Sequence, residues 1–216
     1  MGNAISRRAF LKCAGASVLA VGAASMLSGC DLLDKAMGSL IGRVGEASGI
    51  AMCKMGGTST EYAMVTLRND VTWWKSTASH ETLPENTLLA VGFTIQVKNY
   101  QNKEITLKAS DITDVTVNGH KAKVLTDTDS SLATYTNSAK YNEDGLFKKG
   151  DSKTYKAAKD TSVSVDGHVF FELVYANAAE AVKGDWNNIK FTLKLNGDTK
   201  TFELTKNGDG TTSKVV

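Results

Sequence analysis

Residues 88–98 read Leu-Leu-Ala-Val-Gly-Phe-Thr-Ile-Gln-Val-Lys, and their order decides the architecture. Leu89, Val91, Phe93, Ile95 and Val97 fall at every second position, alternating with Leu88, Ala90, Gly92, Thr94, Gln96 and Lys98. Side chains of an extended strand point alternately to its two faces, so a period of two describes a strand with one face in a core. The pattern recurs twice. Val169, Phe171, Leu173 and Tyr175 alternate with His168, Phe170, Glu172 and Val174. Ile189, Phe191, Leu193 and Leu195 alternate with Lys190, Thr192, Lys194 and Asn196.

Turn chemistry links these runs to further strands. Asn196-Gly197 connects the last run to residues 200–204, and Asn118-Gly119 connects 112–117 to 121–125. A two-residue Asn-Gly turn matches the twist of a hairpin, because both residues accept positive φ. Upstream, Ala63, Val65, Leu67, Val71 and Trp73 predict one or two strands in odd phase. The polar region 126–160 holds at least one more strand, around 132–136 and 153–156, plus a long loop. The sum is an all-β chain, an antiparallel immunoglobulin-like β-sandwich of about eight strands, with a barrel as the alternative.

The run LLAVGFTIQVKNYQNKEITL (88–107), followed by KKGDSKTYK (148–156) and VFFELVY (169–175), resembles the telokin-like, immunoglobulin-fold domains of many bacterial lipoproteins of unknown function. The resemblance runs from about residue 88 to 204. It implies that Asn99 closes a strand and that Gly150 precedes the strand leading to Phe170-Phe171. Where that family often has Pro-Gly, this chain has Lys149-Gly150. The resemblance implies a fold and no settled activity.

The first thirty residues carry addresses. Ser6-Arg7-Arg8-Ala9-Phe10-Leu11-Lys12 resembles a twin-arginine export motif, with Arg7, Arg8, Phe10 and Leu11 as the recognised positions. Residues 13–26 are apolar and small, shorter than the ~20 residues of a membrane span. Leu27-Ser28-Gly29-Cys30 then resembles the lipobox of bacterial lipoproteins. In that chemistry the Cys30 sulfur takes a diacylglyceryl group as a thioether, and Ser28 and Gly29 give the peptidase close access to the bond before it. Two acyl chains at one residue make a stable anchor. The expected partners are the twin-arginine translocase, the lipoprotein-processing enzymes and the membrane itself.

This divides the chain into a removed signal (1–29), a membrane-proximal tether (30–58), the sandwich (59–206) and a polar tail (207–216). In the tether, Leu33, Met37, Leu40, Ile41 and Val44 recur at helical spacing, a short amphipathic helix interrupted by glycines. Its alternatives are a helix lying on the headgroups and a flexible stalk. Loss of Arg7, Arg8 and Lys12 leaves 22 basic against 23 acidic residues, so the expected mature chain is weakly acidic. Nothing in that balance points to nucleic acid. Cys13 leaves with the signal and Cys30 takes lipid, so Cys53 has no partner for an internal disulfide and reads as a small apolar residue.

Catalytic patterns are sparse. His80, His120 and His168 stand alone in sequence, the last two after Asn-Gly and Asp-Gly pairs that predict exposed hairpin positions. Asp127, Asp129, Asp144 and Asp151 offer oxygen ligands for calcium, without the glycine and distal glutamate of an EF-hand loop. Trp73 and Trp74 must face opposite ways on a strand, which predicts Trp73 in the core and Trp74 on the outer face, as a ligand-binding residue or covered by the tether or a loop. Lys98, Lys190 and Lys194 read as outer-face residues. The favoured function is a non-catalytic module binding a protein or glycan at the membrane, with no cofactor and no metal. The alternatives are an exported metal- or cofactor-dependent enzyme with its site in 126–160, and a solute-capture accessory of a transporter.

Overall fold

The computed structural model describes residues 49–58, 61–76, 83, 85–127, 145–157, 165–177, 180–208 and 210–216. Arg7, Arg8, Phe10, Leu11, the Leu27–Cys30 tetrad, the predicted tether helix, His80, Asp129, Asp144 and the expected strand at 132–136 lie outside the described residues.

Twelve strands are present among the described residues: β1 (Met52–Met55), β2 (Ala63–Leu67), β3 (Thr72–Lys75), β4 (Leu88–Asn99), β5 (Ile105–Lys108), β6 (Ile112–Val117), β7 (His120–Val124), β8 (Ser152–Tyr155), β9 (Val165–Leu173), β10 (Asn188–Leu195), β11 (Asp198–Asn207) and β12 (Gly210–Val215). All pairs between them are antiparallel, as expected of a sandwich. The main path runs β1-β2-β4-β9-β7-β6-β10-β11-β12, with β3 also on β4 and with β5-β8 as a separate pair. β7 carries the path from one layer to the other. It pairs with β6 at His120 and Lys121, then with β9 from Ala122 to Val124.

Alternation then builds the core. Val91, Phe93, Ile95 and Val97 of β4 and Val169, Phe171 and Leu173 of β9 face Ile189, Phe191, Leu193 and Leu195 of β10 and Phe202 and Leu204 of β11, all buried. Phe191 sits at the centre, with ring centroids 5.5 Å from Phe93, 5.5 Å from Phe171 and 5.4 Å from Phe202. The layers also meet along their open side. Ser213 of β12 donates its N–H to Gly49 O (2.7 Å), while its Oγ accepts from Ala51 N (2.7 Å) just ahead of β1.

Both Asn-Gly hairpins form as read. Asn118 and Gly119 have φ of 52° and 81°, and Asn196 and Gly197 have 54° and 79°. β4 ends at Asn99, and β8 begins two residues after Gly150.

Several expectations change. Twelve strands stand among the described residues alone, against about eight expected. Residues 52–55, assigned to the tether, form β1, and 210–215, assigned to a polar tail, form β12. β12 exposes Gly210, Thr212 and Lys214 and buries only Ser213, so its apolar signal is too weak to read. At the start of β4 a register shift opposite Trp74 and Lys75 places Leu88 in the main core, while Leu89 packs with Ala90 on the other face. Asp166-Gly167 is no turn: β9 runs straight through it. Gly167 is there for space, since a Cβ would stand 2.6 Å from Leu146 Cδ1.

Candidate functional site

β4 is flanked on one edge by β2 and β3 in succession. Leu67 pairs with Ile95 and Thr72 with Gly92, so five steps on this edge match three on β4. The two extra residues loop out, as in a bulge that re-aims a side chain. Here the re-aimed side chain is Asp70. Its carboxylate accepts the Thr94 N–H at 3.1 Å and the Thr94 hydroxyl at 2.6 Å. Across the sheet Thr94 pairs with His168 of β9, whose Nε2 lies 3.2 Å from Thr94 Oγ1 and 3.3 Å from Asp70 Oδ2. His168, expected at an exposed turn, is 7% exposed in mid-strand.

Burial by itself would raise the Asp70 carboxyl. The hydrogen bonds from His168 and from the Thr94 side chain and backbone outweigh it and hold Asp70 well below the usual carboxylate range. Hydroxyl, imidazole and carboxylate are the components of a nucleophile triad, but their geometry differs. A relay needs one ring nitrogen on the hydroxyl and the other on the carboxylate. Here both partners meet the same nitrogen, and the hydroxyl donates to the carboxylate. The trio therefore works as a three-way crosslink between the bulge, β4 and β9.

Because Asp70 titrates lower when folded, the unfolded chain takes up its proton first as pH falls. Its contribution is complete above about pH 4 and is lost as pH drops toward the folded-state value. Asp70→Asn is accordingly expected to destabilise at pH 7, with the gap to wild type narrowing below about pH 4 in paired urea titrations. A gap independent of pH would show that the carboxylate charge plays no part in the crosslink.

Beside the trio, the outer face turns aromatic. Phe170 stacks on the His168 ring at 5.7 Å and meets Trp74 at 5.1 Å. Gly92 makes the room, since a Cβ there would stand 2.1 Å from Phe170 Cδ1. Trp74 is thus on the outer face, half-buried against a small cluster of Ala90, Leu125 and Phe170.

Trp73 is the indole that reaches solvent, contrary to its expected place in the core. It keeps the core-side phase opposite Val91, but β3 lies at the rim of the sandwich and the residue is 37% exposed. Lys206 of β11 holds its ammonium 5.2 Å from the ring centre and 2.8 Å from Asp185 Oδ2. Lys75 approaches the other oxygen of Asp185 at 3.9 Å. The Asp185 segment is pinned in turn by Asn118, whose Nδ2 donates to Asp185 O (2.9 Å) and whose Oδ1 accepts from Asn187 N (2.7 Å). Lys206 and Asp185 carry no sequence pattern that marks them. Only the meeting of β3, β11 and the 185–188 segment makes them neighbours of Trp73.

The remaining expected residues are placed as follows. Asp127 accepts the Gly150 N–H at 2.6 Å, a turn-stabilising role, and Asp151 is exposed. Among the described residues no group of three or more His, Cys, Asp or Glu is arranged to hold a metal. His120 opens β7 and is half-buried. Lys190 and Lys194 are exposed, and Lys98 lies over Tyr100 at 5.1 Å. Cys53 packs against the core, and burial pushes its thiol up to about 12, offset in part by Lys200 and reinforced by Asp198. Such a thiol is a poor nucleophile. No helix among the described residues is long and apolar enough to cross a membrane. No family model, curated protein or solved structure matches the chain.

Proposed function

We propose that this chain is a lipid-anchored lipoprotein on the extracytoplasmic face of the cell membrane, exported by the twin-arginine route and acting as a non-catalytic binding module. The observation that carries the reading is the succession of SRRAFLK, a short apolar run and LSGC within thirty residues. A protein or glycan is the ligand class. In support, the Asp70–Thr94–His168 trio has the geometry of a crosslink, and Trp73 and Lys206 present an apolar ring and a cation together.

Partition in a phase-separating detergent tests the anchor. Wild-type protein from bacterial membranes is expected in the detergent phase, with the mass of residues 30–216 plus a diacylglyceryl group and any further N-acyl chain. Cys30→Ser is expected in the aqueous phase or as unprocessed precursor. A wild-type chain in the aqueous phase, or one retaining residues 1–29, would overturn the reading.

A further inference from the structure

The cluster at the rim has the makings of a specific site. Trp73 offers an accessible ring on a strand edge. Two ammonium groups, on Lys206 and Lys75, approach a single carboxylate, Asp185, so the cluster carries one positive charge in excess. Asp185 Oδ1 is buried with no hydrogen-bond donor, and the Lys75 ammonium comes no closer to it than 3.9 Å. One carboxylate thus holds two cations without satisfying both, leaving their remaining N–H groups available to a second anion. The support is rigid. β3 is bonded to β4, β11 lies between two strands, and Asn118 clamps the 185–188 segment.

From this arrangement we propose that Trp73, Lys206, Lys75 and Asp185 form a binding site for an anionic saccharide, such as a uronate or sugar-phosphate unit of an envelope polymer. The proposal deepens the binding-module reading and rests on it. The apolar face of a pyranose ring stacks on the indole, as aromatic side chains favour. The anionic group sits by Lys206 and Lys75, and Asp185 both orients Lys206 and accepts from a sugar hydroxyl through Oδ2. A neutral sugar gains the stacking and loses the charge contacts. A protein partner would bury a wider apolar surface than one ring among three charged side chains provides.

The test is calorimetric titration of the processed full-length lipoprotein in neutral detergent micelles. The probes are trigalacturonate, a short poly(glycerol phosphate) and maltotriose. Saturable binding of at least one anionic probe is expected, about tenfold tighter than maltotriose and weakening as salt is raised. The two anionic probes distinguish a carboxylate from a phosphate ligand. Trp73→Ala is expected to abolish binding, and Lys206→Met to bring the anionic probe down to the level of maltotriose. Equal binding of all three probes by wild type, unchanged binding by Trp73→Ala, or no saturable binding of any probe would overturn the proposal. Circular dichroism of both variants establishes that losses come from a folded chain. The detergent partition stands apart from this titration, so an anchored protein that binds no saccharide refutes only the site.

Discussion

Phe191→Ala is expected to lower the stability of the sandwich by about 3–5 kcal/mol, the range for deleting a buried aromatic ring. The reason is position. Phe191 projects from β10 into the plane where the layers meet and touches Phe93 and Phe171 of the opposite layer and Phe202 of its own. All four rings are inaccessible to solvent, and each backbone is paired with at least one neighbouring strand, those of Phe171 and Phe202 with two. Little collapse into the vacated space is possible, so the cavity adds to the lost transfer energy. For a domain of this size the loss corresponds to roughly 6–20 °C in melting temperature. Urea and thermal unfolding of wild type and variant measure it. A change below about 1 kcal/mol would mean that the layers do not close on Phe191.

That ring could be named before any coordinates, because a period of two over residues 189–195 places Phe191 inward whatever the topology. The hairpins were equally legible, since Asn-Gly admits the positive φ that Asn118, Gly119, Asn196 and Gly197 adopt. Periodicity tells phase, however, and not depth. Trp73 has the phase of the core and lies at its edge, while Leu89 loses its phase to a local register shift. Turn dipeptides mislead where glycine serves space. Asp166-Gly167 has turn chemistry, yet Gly167 stays in β9 because Leu146 fills the place of a side chain.

The polar sites were illegible for a different reason. Asp70, Thr94 and His168 are 24 and 74 positions apart, and no spacing rule links them. They meet because two surplus residues between β2 and β3 turn Asp70 onto β4, while the β4–β9 register sets Thr94 opposite His168. Trp73, Lys206 and Asp185 depend in the same way on strands far apart in sequence lying at one rim. The signal and the lipobox are the reverse case. They are linear and chemical, so the address we propose is read from the sequence alone, whereas the surface we propose as a binding site exists only through long-range pairing.

Asn99→Ala carries the second large effect, and a different signature. The Asn99 amide donates to the carbonyls of Lys103 (2.8 Å), Lys156 (3.0 Å) and Tyr155 (3.3 Å), and its oxygen accepts the Gln101 N–H at 2.8 Å. One side chain at the end of β4 thereby ties down both the turn leading into β5 and the strand end of β8. Asn99 and Gln101 are buried, so truncation leaves backbone groups that water reaches poorly, and each unsatisfied group costs about 1–3 kcal/mol. A total loss of about 2–4 kcal/mol is expected, close to that of Phe191→Ala. Hydrogen exchange separates the two. Phe191→Ala removes a contact shared by both layers and should speed exchange throughout the core strands. Asn99→Ala should accelerate β5 and β8 first, because they pair only with each other and Asn99 helps hold that pair to the end of β4. If the amides of β10 and β11 accelerated as much as those of β5 and β8, the two-stranded unit would be no separate unit of stability. Asn99 would then be one more contributor to a single cooperative sandwich.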